Sequence, residues 1–330
     1  MITVYSRVEG RVIEQPLPLE ASLPEGAVWI DLLRPDESER GYVGRLLGVD
    51  LPTREEMKEI EASSQLYVEG DGIYMTSPLV SRADSSGPIQ GELTFVLAPR
   101  HLITMRYTEP RSILVFAART SRQPELLAGP EDALLGLLDA VIDRVADVLE
   151  LIGGRLDSLS SRVFADNIDA REAAREKGAH DLNDVLRGIG RAGDLTHKVR
   201  DSMAGLDRLL AFMVSVASGR LTKEQRSSVK TLARDLRSLQ EQSRFLASEA
   251  NFLLDATLGL INIEQNSIIK IFSVAAVVFM PPTLIASIYG MNFHQGMPEL
   301  DWGLGYPMAL AMMLLSALVP LWYFRRRGWL

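Results

Sequence analysis

The 330-residue chain contains no cysteine. Disulfides, thiolate metal sites and thiol catalysis are therefore excluded together. Histidine is scarce too, and His101, His180, His197 and His294 lie too far apart in sequence to suggest a metal-ligating cluster. No GxxxxGK[ST] run occurs, so nothing indicates an ATP-driven pump. No Ser/His/Asp grouping stands out, and no isolated carboxylate pair sits in an apolar helix, so an enzyme is not expected and no cofactor is implied. Base is not in excess: the net charge of −8 argues against nucleic acid as a partner. It suits either a solvated surface or attraction of cations. Met1–Gly10 is not signal-like, because Ile2-Thr3-Val4-Tyr5 is a short apolar run with Glu9 close behind.

Charge is also missing from two long stretches. Ile271–Tyr289 and Tyr306–Phe324 hold 19 residues each without Asp, Glu, Lys or Arg, separated by sixteen residues that begin Gly290-Met291-Asn292. Nineteen helical residues at 1.5 Å rise come close to the roughly 30 Å hydrocarbon core of a bilayer. A buried soluble helix can be as apolar, but two in tandem at the C-terminal end read as membrane spans. Arg325-Arg326-Arg327 follow the second stretch, whereas the connection has no Lys or Arg and carries Glu299 and Asp301. The positive-inside rule places both termini in the cytoplasm and the loop outside. Trp302, Tyr306, Trp322, Tyr323 and Trp329 fall at the span ends, where aromatic belts form.

Strand signals are confined to the first 108 residues. Ile2–Arg7 and Arg11–Glu14 flank Glu9-Gly10, and Val28–Leu32 follows. Gln65–Val68 and Ile73–Leu79 flank a hairpin turn at Gly70-Asp71-Gly72, and Leu93–Leu97 and Leu102–Tyr107 flank another at Ala98-Pro99-Arg100. Pro35-Asp36-Glu37-Ser38-Glu39 reads as a helix start, and Thr53-Arg54-Glu55-Glu56 as a second with a capping box. Beyond Pro110 only amphipathic helix remains: Glu131–Phe164, Ile168–Ser218 and Leu221–Tyr289, broken near Gly129-Pro130, Asp166-Asn167 and Gly219. The expected fold is thus an α+β membrane protein. Residues 1–108 form a cytoplasmic α/β domain and 109–220 a helical region. Residues 221–289 form a long helix continuing into the first span, 290–305 the external loop, 306–324 the second span and 325–330 a basic tail.

Within the first span, Asn266, Ile269, Ser273, Ala276, Met280, Thr283 and Ser287 recur at heptad spacing. Polar groups facing lipid are costly, so this stripe suits either a helix–helix seam or a water-lined face, and a ring of such helices serves both. Pro281-Pro282 removes the partners of the Val277 and Val278 carbonyls, which fits a lined cavity or a packing kink. Two spans cannot enclose a conduit alone, so any pore needs several chains. Asp139, Asp143, Asp147 and Glu150 form an acidic stripe that reads as a solvated face or a metal-sensing one.

Tyr289-Gly290-Met291-Asn292-Phe293 directly after the first span, with Met297-Pro298-Glu299-Leu300 and the terminal basic cluster, resembles the signature of the CorA magnesium transporter family. Asn251-Phe252-Leu253, Ile261–Asn266, Ile269–Val274, Phe279 and Pro281–Leu284 are similar to its enterobacterial type, as are Trp29–Leu32, Pro35-Asp36 and Ile60–Ser63. The resemblance implies a homopentamer in the inner (plasma) membrane, with a cytoplasmic α/β domain, a funnel of long helices and the first span lining the pore. It implies passive uptake of hydrated Mg2+, with Co2+ and Ni2+ as poorer substrates and cytoplasmic Mg2+ as regulatory ligand. Gly290, Met291 and Asn292 would form the selectivity loop, with Asn292, Thr283 and Asn266 meeting the hydrated ion. Ser273 and Ser287 complete the polar stripe, and Ile269, Phe272 and Met280 match an apolar constriction. The chain departs from the family pattern at Phe293-His294-Gln295-Gly296, which is longer and lacks the usual glutamate. That departure weakens the loop's pull on cations and opens a second reading, a zinc or other divalent carrier, which the intact Gly290-Met291-Asn292 opposes. A third reading is a membrane-anchored structural or sensing protein that conducts nothing.

Overall fold

A computed structural model describes residues 1–59, 61–85, 87–164, 168–217, 219–291 and 302–329, with backbone alone for 62 and 168–181. Alternating side chains in the first hundred residues build one mixed sheet in the order β2-β1-β3-β7-β6-β5-β4. The strands are β1 Ile2–Val8, β2 Arg11–Pro16, β3 Ala27–Leu33, β4 Leu66–Glu69, β5 Gly72–Ser81, β6 Ile89–Leu97 and β7 Leu102–Arg106. Every pair is antiparallel except β3 with β7. Both expected hairpins form. Glu69 pairs Gly72 across Gly70-Asp71, and Leu97 pairs Leu102 across residues 98–101. Gly70 has φ +56°, which a turn of this tightness asks of its residue.

Each face of the sheet has its own core. Trp29, Met75, Leu93 and Phe95 point to one side, where they pack with Phe116 and the long helices. Ile30, Leu32, Val96, Ile103 and Met105 point to the other, with Val43, Leu51 and Met57. Helix α1, Glu37–Leu47, covers that second face. Asp36 caps it in a reciprocal box with Glu39, and Gly48 closes it at φ +68°. Thr53 and Glu56 also bond each other's backbone, at 3.2 and 2.7 Å. The second helix they signal is only a 3-10 turn, Glu56–Lys58. Met57 is buried in that turn, and by Glu59 the backbone is extended again. A one-turn helix α2 spans Ala62–Gln65, and α3 spans Arg111–Thr120.

The three long helical patterns appear as α4 Pro130–Phe164, α5 Ile168–Val216 and α6 Lys223–Tyr289, followed by α7 Gly305–Arg326. Helix α5 lies so close on β5 that a Cβ at Gly205 would sit 2.5 Å from Ser77 Oγ. Helix α6 has 67 residues, about 100 Å at 1.5 Å each, and Pro281-Pro282 does not end it. Two compact units result, Met1–Leu254 and Asp255–Leu330, and their boundary falls inside α6.

The joint between α5 and α6 is clamped by one side chain. Arg220 donates from Nε and Nη2 to Glu131 Oε1 at 3.1 and 2.8 Å, and from Nη2 to the Ala98 carbonyl at 2.8 Å. Its Nη1 lies 3.4 Å from the Leu97 carbonyl. Thr222 and Gln225 cap α6 reciprocally, and Gln225 reaches Asp132 on α4 at 2.7 Å.

At the centre of the sheet Asp31 and Arg106 form a buried ion pair, Nη2 to Oδ2 at 2.7 Å with both side chains 5% exposed. Thr104 donates to Asp31 at 2.6 Å and accepts from Trp29 Nε1 at 2.9 Å. Removing one partner strands a buried charge. Asp31→Ala should therefore cost about 3–5 kcal/mol of soluble-unit stability in urea unfolding, whereas Glu109→Gln, at an exposed pair with Arg34, should change it by less than about 1 kcal/mol.

Candidate functional site: the exposed face of the first span

Ser, Thr and Asn lie among apolar residues at heptad spacing in the last third of α6, and the structure puts them on one side. Asn266, Ile269, Ser273, Ala276, Met280, Thr283 and Ser287 are all exposed. The chain covers a different face: Val274 is buried, and Val278, Pro281, Ile285 and Tyr289 are partly buried. At about 100° per residue the centres of the two faces are roughly 150° apart. On α7 the covered positions include Gly305 and Ala309. The polar stripe is thus not a seam between the two spans of one chain. It is open to whatever surrounds the unit.

The geometry of Thr283 gives its oxygen a definite character. Its hydroxyl donates to the Phe279 carbonyl at 2.7 Å, one turn back. With its hydrogen committed, Oγ1 offers only lone pairs outward. Water bound to a cation presents hydrogens, so such an oxygen is suited to a hydrated ion. Below it, Met280, Phe272 and Ile269 are 68%, 72% and 61% exposed. Ile269 and Met280 lie on the stripe, while Phe272 falls about 70° to its side. Pro281 and Pro282 lack the N–H groups that would bond the Val277 and Val278 carbonyls, although α6 keeps its helical course.

Gly290 continues the helix by one bond, its N–H on the Ala286 carbonyl at 2.9 Å, and Met291 N–H reaches Ile288 at 3.3 Å. A Cβ at Gly290 would meet the Ala286 carbonyl at 3.0 Å, so the turn favours glycine there. Asn292, His294-Gln295-Gly296 and Met297–Leu300 lie outside the described residues. At the end of the span remote from Gly290, Lys270 Nζ lies 6.0 Å from the Trp329 ring, and Arg326 and Arg327 stand over Trp322 and Tyr323.

Arginines engage three members of the acidic stripe of α4, Asp139, Asp143 and Asp147. Arg119 bonds Asp139 at 3.0 Å and Asp143 at 3.2 Å, and Arg144 pairs with Asp147 at 3.6 Å. Burial, and then the neighbouring Asp143, push the Asp139 carboxyl above its ordinary value. Among the described residues of one chain, no three His, Asp or Glu side chains converge as a metal site. Sequence reasoning missed Arg220, whose partners are distant in sequence. It also missed the Thr222–Gln225 box, for which Thr222-Lys223-Glu224-Gln225 was a legible signal.

An α/β front end followed by two C-terminal helices, both long and apolar enough to cross a bilayer, defines a two-span membrane protein with a large soluble unit. Residues 24–326 match the family model described as CorA-like Mg2+ transporter protein, and the chain belongs to that family. It is 37% identical over 331 residues to the magnesium transport protein CorA of Escherichia coli strain K12, covering all of both chains. It is 34% identical over 330 residues to the protein of that name from Pasteurella multocida, again over both full lengths. The solved complete structure of the CorA magnesium transporter from Methanocaldococcus jannaschii superposes with a TM-score of 0.75 at 20% identity, covering 100% of this chain and 99% of that one.

Because the chain is free of cysteine, a single introduced thiol reports its own surroundings. Cysteines at Thr283 and Ser287 should react with a charged methanethiosulfonate at least about tenfold faster than cysteines at Val274 and Ile285, since only a hydrated thiol ionises to the reactive thiolate. Equal rates on both faces would show that the stripe meets lipid or protein.

Proposed function

We propose that the chain forms a homopentameric channel in the inner (plasma) membrane, with both termini cytoplasmic, and that it conducts hydrated Mg2+ passively into the cell. The observation that carries this reading is the polar stripe left open opposite the covered face of the first span, on a chain of a magnesium transporter family. Mg2+ gives up its water reluctantly, so neutral oxygens that accept from the hydration shell suit it better than a tight carboxylate cage. Thr283 offers such an oxygen, and Asn266 and Asn292 supply amide oxygens by position. Ile269, Met280 and, at the side, Phe272 form the apolar constriction, which closes by dewetting without a moving plug. Gly290 and Met291 shape the outer mouth.

The driving force is the membrane potential, worth about 4.6 kcal/mol per 100 mV for a divalent ion, or roughly three decades of concentration. No ATP is needed. Co2+ and Ni2+ are poorer substrates, and high cytoplasmic Mg2+ closes the channel as its regulatory ligand. His294 in the outer loop favours a second reading, in which a softer divalent ion such as Zn2+ is the cargo, because imidazole is a good zinc ligand.

Mg2+ influx into proteoliposomes holding the full chain should require an inside-negative potential and vanish in Asn292→Ala. Verified insertion with Zn2+ flux but no Mg2+ flux would favour the second reading, and no flux of any divalent ion would leave a non-conducting protein. Ile269→Asn should wet the constriction and raise influx at high internal Mg2+, measured with a fluorescent indicator on the inside.

A further inference from the structure

The soluble unit carries a cavity of about 840 Å³ between α4, α5 and the β5–β6 connection, far in sequence from the span. That volume lies within the range of small-molecule sites. Three guanidinium groups line it: Arg155 from α4, and Arg187 and Arg191 from α5. Its two carboxylates are already engaged by other bases. Asp84 pairs with Arg144 at 2.8 Å and Arg111 at 3.5 Å, and Asp194 pairs with Lys198 at 2.6 Å. The arginines are poorly matched in return. Among the described residues Arg155 reaches only the Ala83 carbonyl, at 3.4 Å, and Arg187 lies 4.0 Å from Asp184. Among the described residues Arg191 has no ion-pair partner.

The remaining walls suit a ligand with an apolar part. Leu151, Leu159 and Pro88 supply carbon surface, and Ser158 a hydroxyl. Gly154 and Gly190 line the cavity with nothing within 4 Å of where a Cβ would stand. Glycine in a helix interior sacrifices about 1 kcal/mol relative to alanine, and here it leaves space rather than close packing. The rim is ordered locally: Ser85 Oγ donates to the Arg82 carbonyl at 2.8 Å and accepts from Gly87 N–H at 3.2 Å.

We propose that this cavity binds a phosphate-bearing anion of nucleotide size, its phosphates on Arg155, Arg187 and Arg191 and its ring against Leu151, Leu159 and Pro88. Guanidinium groups bind phosphate oxygens in a two-pronged geometry, and three of them meet a di- or triphosphate more fully than a single phosphate. The proposal concerns the soluble unit alone and does not depend on which ion crosses the membrane.

Titration calorimetry on the detergent-solubilised full chain tests it, with magnesium-free ATP, adenosine, inorganic phosphate and phosphatidylglycerol vesicles as separate probes. ATP should bind once per chain, at least tenfold more tightly than adenosine or inorganic phosphate. Arg187→Ala and Arg191→Ala, both at exposed side chains, should each weaken ATP at least fivefold. Gly190→Leu raises helix propensity while filling the space, so it should weaken ATP without lowering thermal stability. Saturable ATP binding unchanged by all three variants would place the nucleotide elsewhere and overturn the assignment. Failure of ATP to bind would do the same, as would vesicles that displace it through the same arginines.

Discussion

A hydroxyl or amide that faces hydrocarbon has no water to bond, and the arrangement of the C-terminal unit is best understood from how it handles such groups. The chain covers Val274, Val278 and Ile285 of its first span and leaves Ser273, Thr283 and Ser287 open on another side. Covering apolar residues gains little in lipid, where the surroundings are as apolar as the side chains, so what the chain leaves uncovered is the more informative part. Thr283 settles its own hydrogen on Phe279 and keeps its lone pairs for something else. Two helices cannot surround that something. Copies of the chain, each contributing one polar face, can.

The soluble unit solves the opposite problem, that of keeping charge inside water-excluded protein. Asp31 and Arg106 sit side by side on the only parallel strand pair among the described strands, and each carboxylate oxygen of Asp31 has a donor. Arg220 does comparable work at the unit's edge, joining the turns of two hairpins and the start of α4 to the joint before α6. Because α6 begins within reach of that clamp, its first turn is held by side chains from α4 as well as by its own cap.

Much of this was legible in the residues because the signals are local. Alternation, two glycine or proline turns and a 3.6-residue period place all seven strands and the long helices within a few residues of their observed ends. The Thr53–Glu56 box was legible and still misleading. A cap fixes where a helix begins, but burial of Met57 and the exit toward β4 decided how soon it stopped. Arg220 and the Asp31–Arg106 pair were invisible as contacts, since their partners lie 75 to 149 residues away in no periodic relation. The heptad stripe was legible as a pattern, but which way it faces depended on the packing of the unit, and spacing alone left both a seam and a water-lined face open. Asn292, the residue that the resemblance weighs most, lies outside the described residues.

The double proline has a mechanical meaning as well as a chemical one. A helix resists bending through its ladder of hydrogen bonds, and two successive rungs are absent where Pro281 and Pro282 sit. Stiffness is therefore lowest at that turn. The segment from Thr283 to Gly290 is a lever of about 10 Å, and a tilt of about 10° there moves its tip by roughly 2 Å. A bend on that compliant collar would displace the Thr283–Gly290 segment while leaving the helix around Ile269 in place.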